Sequence, residues 1–328
     1  MAKILITESV HPIGPELLTA AGHTVVYADR DMDVIRREIV DADAVLVRII
    51  ELPGSLLATA KNLKIVSKHG VGYDNIDLDY CKSHGIAVTI TPNANSLSVA
   101  EHAFTLMLTL AKNIIPVSNE YRTVGFAAKN HAPGIEMTGK TLGLIGMGRI
   151  GKHILHMCRD GLDMHVIVYD PYISEVPEGV EKVDDLSELL RRADVVTLHC
   201  LLTDETRKLI DRERLALMKP TALLINCARG PIVDEAALIE ALENGRLAGA
   251  GLDALVDALR SGKIFGAGLD VTDPEPVAPD SPLFKLPNVI VTPHYAPTTV
   301  ESATRVSKIA AENINAVLAG QEPVGRIV

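Results

Sequence analysis

Three glycines follow a short apolar segment, and their spacing could bind the diphosphate of a dinucleotide. Residues 141–145 read TLGLI, and Gly146, Gly148 and Gly151 come next, in a stretch that opens a helical pattern. In such a unit the first glycine makes a tight turn, the second lets the backbone approach the diphosphate, and the third lets helix and strand pack closely. The N–H groups at the start of the helix would then bind the anion.

Asp170 supplies the group that selects the nucleotide. It ends the apolar run VIVYD, 19 residues after Gly151. A carboxylate at this place accepts hydrogen bonds from both hydroxyls of the adenosine ribose and repels a 2′-phosphate, so NAD is expected rather than NADP. The residues of this unit that we expect to bind NAD are Gly146, Gly148, Arg149, Ile150, Gly151 and Asp170.

Three residues suited to acid–base chemistry follow later apolar runs. Arg229 ends INCAR, Glu275 follows LDVTDP, and His294 ends VTPH. Arginine offers a rigid fork of donors that matches a carboxylate, and histidine can move a proton near neutral pH. Together they suit removal of a hydride and a proton from a hydroxyl carbon beside a carboxylate. Each alone has an ordinary structural explanation, but the three together after a nucleotide site form a catalytic hypothesis.

The elements that must position these side chains are strands that alternate with helices. This alternation predicts parallel, doubly wound sheets, in which ligands gather at the carboxyl ends of the strands. Side chains far apart in sequence can therefore meet at one edge of a sheet. Two long amphipathic segments, about 98–119 and 297–319, are each expected to form one long helix that connects two domains.

We expect an α/β fold with two doubly wound parallel-sheet domains. The prediction is a Rossmann NAD-binding domain, residues 99–294, inserted into a flavodoxin-like substrate-binding domain, residues 1–98 plus 295–328. A cleft between two domains is a common place for a small-molecule substrate.

Composition excludes several classes of partner. The chain has 328 residues and a net charge of −10, without runs of lysine and arginine, which argues against nucleic acid or an anionic membrane. It shows no signal-peptide layout, no stretch near ~18 apolar residues, and four cysteines without CxxC spacing, so we expect a cytoplasmic protein with reduced thiols. His153 and His156 have HxxH spacing but no third ligand in view, so we expect no metal site.

The chain resembles the D-isomer-specific 2-hydroxyacid dehydrogenases, in the branch of the phosphoglycerate dehydrogenases and glyoxylate/hydroxypyruvate reductases. The resemblance covers nearly the whole length, and several motifs occur in the family's order. These motifs are HGVGYDNID (69–77), SVAEH (98–102), GLIGMGRIG (143–151), INCARG (225–230), GLDVTDPEP (268–276) and TPH (292–294).

The resemblance implies a role for each matching residue. His294 would be the acid/base, Glu275 its partner, and Arg229 the anchor for the substrate carboxylate. Arg48 matches a basic residue that binds substrate phosphate, although it could equally be a solvated residue at a strand end. The remaining residues that the resemblance places in binding sites are Gly70, Val71 and Gly72 for the substrate anion and Cys227 and Asp270 for NAD. The resemblance also implies a homodimer formed through the cofactor domain, without the regulatory extension of longer phosphoglycerate dehydrogenases.

A tandem duplication departs from the family pattern. Residues 238–254 and 255–271 share nine of seventeen positions, and four more exchange close relatives. The family has one copy, whose final aspartate contacts the nicotinamide carboxamide, so Asp253 and Asp270 compete for this role. Since Glu275 must follow the active strand closely, we expect the second copy to supply the sheet strand, with residues 253–261 as an extra short helix.

The expected activity is NAD-dependent interconversion of a small D-2-hydroxy acid and its 2-oxo acid, with 3-phosphoglycerate and phosphohydroxypyruvate as the first candidate pair. Reduction of glyoxylate or hydroxypyruvate is the alternative within the family. An alternative of another class is an NAD(H)-sensing binding protein, similar to the transcriptional corepressors that share this fold.

Overall fold

The computed structural model describes residues 1–130, 133–243 and 265–328. The chain divides into two compact units, which we call unit 1 (1–95 plus 297–328) and unit 2 (96–296). The boundaries expected from the sequence were 98/99 and 294/295, whereas the units divide after residues 95 and 296.

Unit 1 contains a five-stranded sheet in which every strand pairs in parallel with its neighbours, in the order β2-β1-β3-β4-β5. Its elements are β1 (Lys3–Ile6), α1 (Ile13–Ala20), β2 (Thr24–Tyr27), α2 (Met32–Glu38), β3 (Ala44–Val47), α3 (Gly54–Leu57), β4 (Ile65–Lys68), α4 (Leu78–Ser83), β5 (Ala87–Thr89) and α11 (Val300–Leu318). Strands β3 and β4 are buried along their whole length, as expected for central strands covered on both faces. The Ser67 hydroxyl on β4 donates to the Ala310 carbonyl on α11 (3.0 Å), which fixes the last helix to this sheet.

Unit 2 contains a seven-stranded parallel sheet in the order β12-β11-β10-β9-β6-β7-β8. Its elements are α5 (Ser96–Ala111), α6 (Ile114–Val124), β6 (Thr141–Ile145), α7 (Arg149–Leu162), β7 (His165–Tyr169), β8 (Val180–Lys182), α8 (Leu186–Arg192), β9 (Val195–Leu198), α9 (Arg212–Leu217), β10 (Leu223–Asn226), α10 (Glu235–Glu243), β11 (Gly266–Leu269) and β12 (Val289–Val291). The prediction of two parallel α/β sheets is confirmed. Val196 and Leu198 of β9 pack into one apolar cluster and Val195 into another, so this strand buries side chains on both faces.

The amphipathic segment predicted near 98–119 is two helices rather than one. The backbone of Asn113 is left-handed (φ +51°) between α5 and α6, and Pro116 lies in the first turn of α6. A left-handed residue cannot continue a right-handed helix, and proline is tolerated only near a helix start. The single long helix was therefore a wrong prediction.

The second copy of the duplication supplies the sheet strand, as predicted. Strand β11 comes from this copy and pairs with β10 on one side and β12 on the other. Helix α10, in contrast, extends into the first copy. The predicted helix over 253–261 and Asp253 lie outside the described residues.

Among the described residues, no helix combines the length and the apolar character that crossing a membrane requires.

Candidate active site

The glycine loop between β6 and α7 has the geometry of a diphosphate cradle. The backbone of Gly146 is at φ +90°, and a Cβ there would lie 2.8 Å from the amide nitrogen of Cys200. A Cβ on Gly151 would lie 2.3 Å from the Gly146 carbonyl oxygen, whereas one on Gly148 would meet nothing within 4 Å. The first and third glycines thus permit close packing, and the second leaves open space. The N–H groups of the first turn of α7, which includes Arg149 and Ile150, have no partners within the helix.

Asp170 follows β7 and is fixed against this loop by two backbone donors. Its Oδ2 accepts from the N–H of Met147 (2.9 Å) and its Oδ1 from the N–H of Tyr172 (3.0 Å). Each carboxylate oxygen has a second lone pair. The carboxylate is therefore oriented toward the glycine loop and retains capacity to accept from a ribose.

The predicted catalytic residues follow three adjacent strands. In the register of the sheet Asn226 of β10 pairs with Leu269 of β11, and Leu269 pairs with Val291 of β12. Arg229 and His294 each come three residues after their paired positions, and Glu275 lies in the loop after β11. All three therefore belong to one edge of the sheet in unit 2.

His294 and Glu275 form a direct pair. The Nδ1 of His294 lies 2.6 Å from Oε1 of Glu275, and the two side chains are 34% and 38% exposed. With Nδ1 engaged by the carboxylate, Nε2 is the ring nitrogen left to exchange a proton with a substrate. The pair can act as a general acid or base.

Asp270, the residue after β11, is directed at the loop that carries His294. It is 1% exposed, and its carboxylate accepts from the hydroxyl of Thr292 (2.6 Å) and from the N–H groups of Tyr295 (2.7 Å) and Ala296 (2.9 Å). Burial alone would raise the pKa of Asp270, but hydrogen bonds from His102, Thr292 and these N–H groups hold it below its ordinary value. Its predicted contact with the nicotinamide stays a prediction.

Arg229 lies in a loop that approaches the loop after β11 very closely. The Asn226 amide donates to the Arg229 carbonyl (3.0 Å), and Nη1 of Arg229 donates to the Ala228 carbonyl (2.8 Å). A Cβ on Gly230 would lie only 1.9 Å from the Thr272 carbonyl oxygen. Glycine at this position therefore lets the loop of Arg229 lie against the loop that leads to Glu275.

Cys227 is buried and unsuited to act as a nucleophile. Burial, reinforced by the negative charge of Asp270, raises the pKa of its thiol well above the ordinary value. Burial also raises the pKa of Cys200 to about 11 and that of Cys158 to about 12. These groups remain protonated near neutral pH.

The residues predicted to bind the substrate anion lie in unit 1, after β3 and β4. The N–H of Arg48 donates to Oε2 of the buried Glu8 (2.7 Å), and its Nη1 donates to the Ser9 carbonyl (2.9 Å). Gly70 is at φ +141°, and its N–H already donates to the Lys68 carbonyl (3.0 Å). Gly70 therefore makes the turn, but its N–H is not available to bind an anion. The N–H groups of Val71 and Gly72 are the remaining predicted donors to the substrate anion.

Sequence reasoning missed two basic residues beside this loop. The Nζ of Lys68 donates to Oδ1 of Asn75 (2.6 Å) and to the Arg48 carbonyl. Burial and the charges of Arg48 and Lys68 lower the pKa of His69 to about 3, so its ring is neutral. Both residues lie in IVSKHG, where the lysine and histidine at the end of an apolar run were the available signal.

Comparison with known proteins places this arrangement in a family. The family model described as "D-isomer specific 2-hydroxyacid dehydrogenase, NAD binding domain" matches residues 104–255 and 253–296. The chain is 41% identical over 325 residues to D-3-phosphoglycerate dehydrogenase of Methanocaldococcus jannaschii. The matched region covers 98% of this chain and 58% of that protein. The chain is 36% identical to glyoxylate reductase of Thermofilum pendens, covering 98% of the chain and 93% of that protein. A crystal structure of the TT0316 protein from Thermus thermophilus superimposes with a TM-score of 0.87 at 33% identity, covering 99% and 100% of the two chains.

The chain belongs to the D-isomer specific 2-hydroxyacid dehydrogenase family. The family predicted from the motifs is thus confirmed, as is NAD as the cofactor of the domain that contains the glycine loop. The chain spans 58% of the length of the Methanocaldococcus jannaschii enzyme and 56% of that of the D-3-phosphoglycerate dehydrogenase of Archaeoglobus fulgidus.

The family match also reflects the duplication. It breaks into two pieces that overlap at residues 253–255, where the first copy ends and the second begins. A single-copy family pattern is expected to divide at this point when one unit has been repeated.

Proposed function

We propose that this dehydrogenase family member uses NAD to interconvert a D-2-hydroxy acid and its 2-oxo acid. The observation that carries the proposal is the 2.6 Å pair between His294 and Glu275, at the sheet edge where Arg229 also lies. An imidazole beside a carboxylate is suited to proton transfer, and a guanidinium that follows an adjacent strand at the same end is suited to bind a carboxylate.

The residues around the glycine loop fit NAD. The open space over Gly148 would admit the diphosphate, which the first-turn N–H groups of α7 would bind. Asp170, held by Met147 and Tyr172, would accept from the ribose hydroxyls. When bound, NAD supplies the acceptor for the hydride that leaves C2 of the hydroxy acid.

The protein's own groups would handle the proton and the anion. In the neutral His294 ring, Nδ1–H donates to Glu275, so Nε2 carries the lone pair that takes the hydroxyl proton. In the reverse direction the protonated ring returns it to the carbonyl oxygen. Arg229 would donate two N–H groups to the substrate carboxylate and fix the orientation of C2.

We propose 3-phosphoglycerate and phosphohydroxypyruvate as the substrate pair. The proposal is supported by the relatives named D-3-phosphoglycerate dehydrogenase and by the basic residues Arg48 and Lys68 beside the predicted anion loop of unit 1. Glyoxylate or hydroxypyruvate reduction is the second candidate, supported by the relative named glyoxylate reductase, which matches over 98% of the chain.

The test compares turnover of phosphohydroxypyruvate, hydroxypyruvate and glyoxylate at equal NADH concentration. The absorbance of NADH is recorded as the reaction proceeds. We expect the phosphorylated acid to have the highest kcat/KM. The His294→Asn variant is the matched control and should bind NADH but lose turnover. An absence of turnover with all three acids, despite NADH binding, would reject the dehydrogenase proposal and favour an NADH-sensing protein.

We also propose that the protein is a cytoplasmic homodimer. Helix α6 has no buried residue, and its exposed apolar side chains include Ile114, Tyr121 and Val124, with Phe126 (72% exposed) just beyond. An exposed apolar surface of this kind is typical of an interface. Sedimentation analysis should give a dimer that Tyr121→Glu dissociates, and a monomeric wild type would reject the proposal.

A further inference from the structure

Helix α5 lies along strand β11 and runs in the opposite direction. A Cβ on Gly266 would lie 3.5 Å from Cδ2 of Leu110, and one on Gly268 would lie 3.0 Å from Cβ of Leu106. Four residues of a helix and two residues of a strand both advance the chain by about 6 Å. The next step of this register pairs His102 with Asp270, which directly follows the strand.

His102 lies within ion-pair distance of Asp270, the group predicted by this register, and forms its hydrogen bond with the neighbouring hydroxyl of Thr292. Its Nε2 lies 3.0 Å from the hydroxyl oxygen of Thr292 and 3.4 Å from Oδ1 of Asp270. The single hydroxyl proton of Thr292 is donated to Asp270 at 2.6 Å, so the hydroxyl oxygen must accept from His102. The Nε2 of His102 therefore carries a proton, and three groups form a directed relay from imidazole to hydroxyl to carboxylate.

The relay ends on the segment that presents His294. The N–H of His294 donates to the carbonyl of Asp270 (2.8 Å), and the next two N–H groups donate to the Asp270 carboxylate. His294 itself has a left-handed backbone (φ +53°), which a residue other than glycine adopts only when its surroundings hold it there. Asp270 is thus the common acceptor that shapes the loop, and Thr292 is its bridge to α5.

We propose that His102 is a positioning residue for the reaction: through Thr292 and Asp270 it holds His294 in the orientation that proton transfer requires. The inference rests on the proposed dehydrogenase function and deepens it, because it assigns a role to the last residue of the SVAEH motif. His102 itself is not expected to touch substrate or NAD.

The experiment compares His102→Leu, which removes the donor at similar volume, with His102→Gln, which keeps an N–H donor near the position of Nε2. We expect His102→Leu to lower kcat about 10- to 100-fold, since a displacement of about 1 Å in a reacting group has an effect of this size. The KM for NADH should change less than kcat does, because the substitution alters neither the glycine loop nor Asp270 itself. His102→Gln should recover kcat to within about 3-fold of the wild type, and the exposed His165→Leu is the matched control.

Thr292→Val removes the hydroxyl that links His102 to Asp270, and it tests the relay even if His102→Leu does not fold. It should resemble His102→Leu, and the double variant should be no worse than about 3-fold below the poorer single variant, because both interrupt one relay. The proposal would be overturned if His102→Leu and His102→Gln lost kcat equally. It would also be overturned if both His102→Leu and Thr292→Val kept a kcat within about 2-fold of the wild type.

A spectroscopic measurement separates this inference from the proposed function. In protein labelled with ¹³C at histidine Cε1, the His294 resonance is identified by its loss in His294→Asn. It should shift in His102→Leu and Thr292→Val, return in His102→Gln and stay unchanged in His165→Leu. If the wild type turns over no acid, the dehydrogenase proposal fails while this resonance still decides whether the relay holds His294; an unmoved resonance rejects the relay.

Discussion

Adding one methyl group at three glycines near or within α7 should produce three different phenotypes. A Cβ on Gly151 would lie 2.3 Å from the Gly146 carbonyl oxygen, about 1 Å short of an ordinary carbon–oxygen contact. A Cβ on Gly148 or Gly161 would meet nothing within 4 Å. The same substitution therefore separates close packing, cofactor access and helix propensity.

The expected magnitudes follow from these contacts. Gly151→Ala overpacks backbone against backbone and should cost about 1–3 kcal/mol of unfolding free energy, and a loss of about 2 kcal/mol lowers Tm by about 3 °C for a chain of 328 residues. Gly161→Ala replaces a helical glycine and should stabilise by about 0.5–1 kcal/mol. Gly148→Ala should cost no more than about 1 kcal/mol, because the site has room for a methyl group but alanine is a poorer N-cap than glycine, and it should raise the Kd for NADH at least about 100-fold, or about 2.7 kcal/mol.

Thermal unfolding without cofactor and calorimetric titration with NADH measure these effects separately. Gly161→Ala is the control for both, with wild-type affinity expected. If Gly148→Ala bound NADH as tightly as the wild type, the diphosphate would not lie over this loop and the cofactor site would be wrong. If the Gly148→Ala variant were as unstable as Gly151→Ala, the space over Gly148 would not be open.

Three further predictions concern charges and thiols. Asp170→Asn should raise the ratio of kcat/KM for NADPH to that for NADH at least about 10-fold, since it removes the charge that repels a 2′-phosphate; an unchanged ratio would place selectivity elsewhere. Asp270→Asn should cost about 1–3 kcal/mol of stability near pH 7 in urea unfolding. The pKa of Asp270 is lower in the folded protein than its ordinary value of 3.8, so its contribution to stability is present above pH 3.8 and is lost as pH falls through the folded pKa. The unfolding free energies of Asp270→Asn and the wild type should therefore converge in acid. A difference in unfolding free energy that stays constant with pH would contradict this. The four cysteines, which form no disulfide, should not react with a thiol reagent in the native protein near pH 8. Urea-unfolded protein, in which all four thiols should react, is the positive control. Rapid labelling of the native protein would show that at least one thiol is accessible and ionised.

The sequence was sufficient where function depends on local order along the chain. The glycine loop and Asp170 lie within one strand–helix–strand unit, so their spacing alone predicts their proximity. The rule that parallel strands end at one edge predicted that His294 and Glu275 converge, and the family resemblance supplied their pairing. The choice of β11 followed from the short distance along the chain to Glu275.

Other features depend on packing between distant segments, which spacing does not encode. The contact of His102 with Thr292 requires α5 to cross β11 in one register. The break at Asn113 depends on a left-handed residue that the apolar pattern does not mark. The Gly70 N–H is used within its own turn, so the motif identified the loop but not which donors it leaves available.

The division of the duplicated unit between α10 and β11 has an evolutionary consequence. The helix draws on the first copy and the strand on the second, so recombination between the copies can excise one repeat length and leave α10 still followed by β11. Such an excision is in frame by construction, because the copies are homologous to one another. A variant with one repeat length deleted would therefore keep α10 and β11 in their single-copy order and can be compared directly with the present chain.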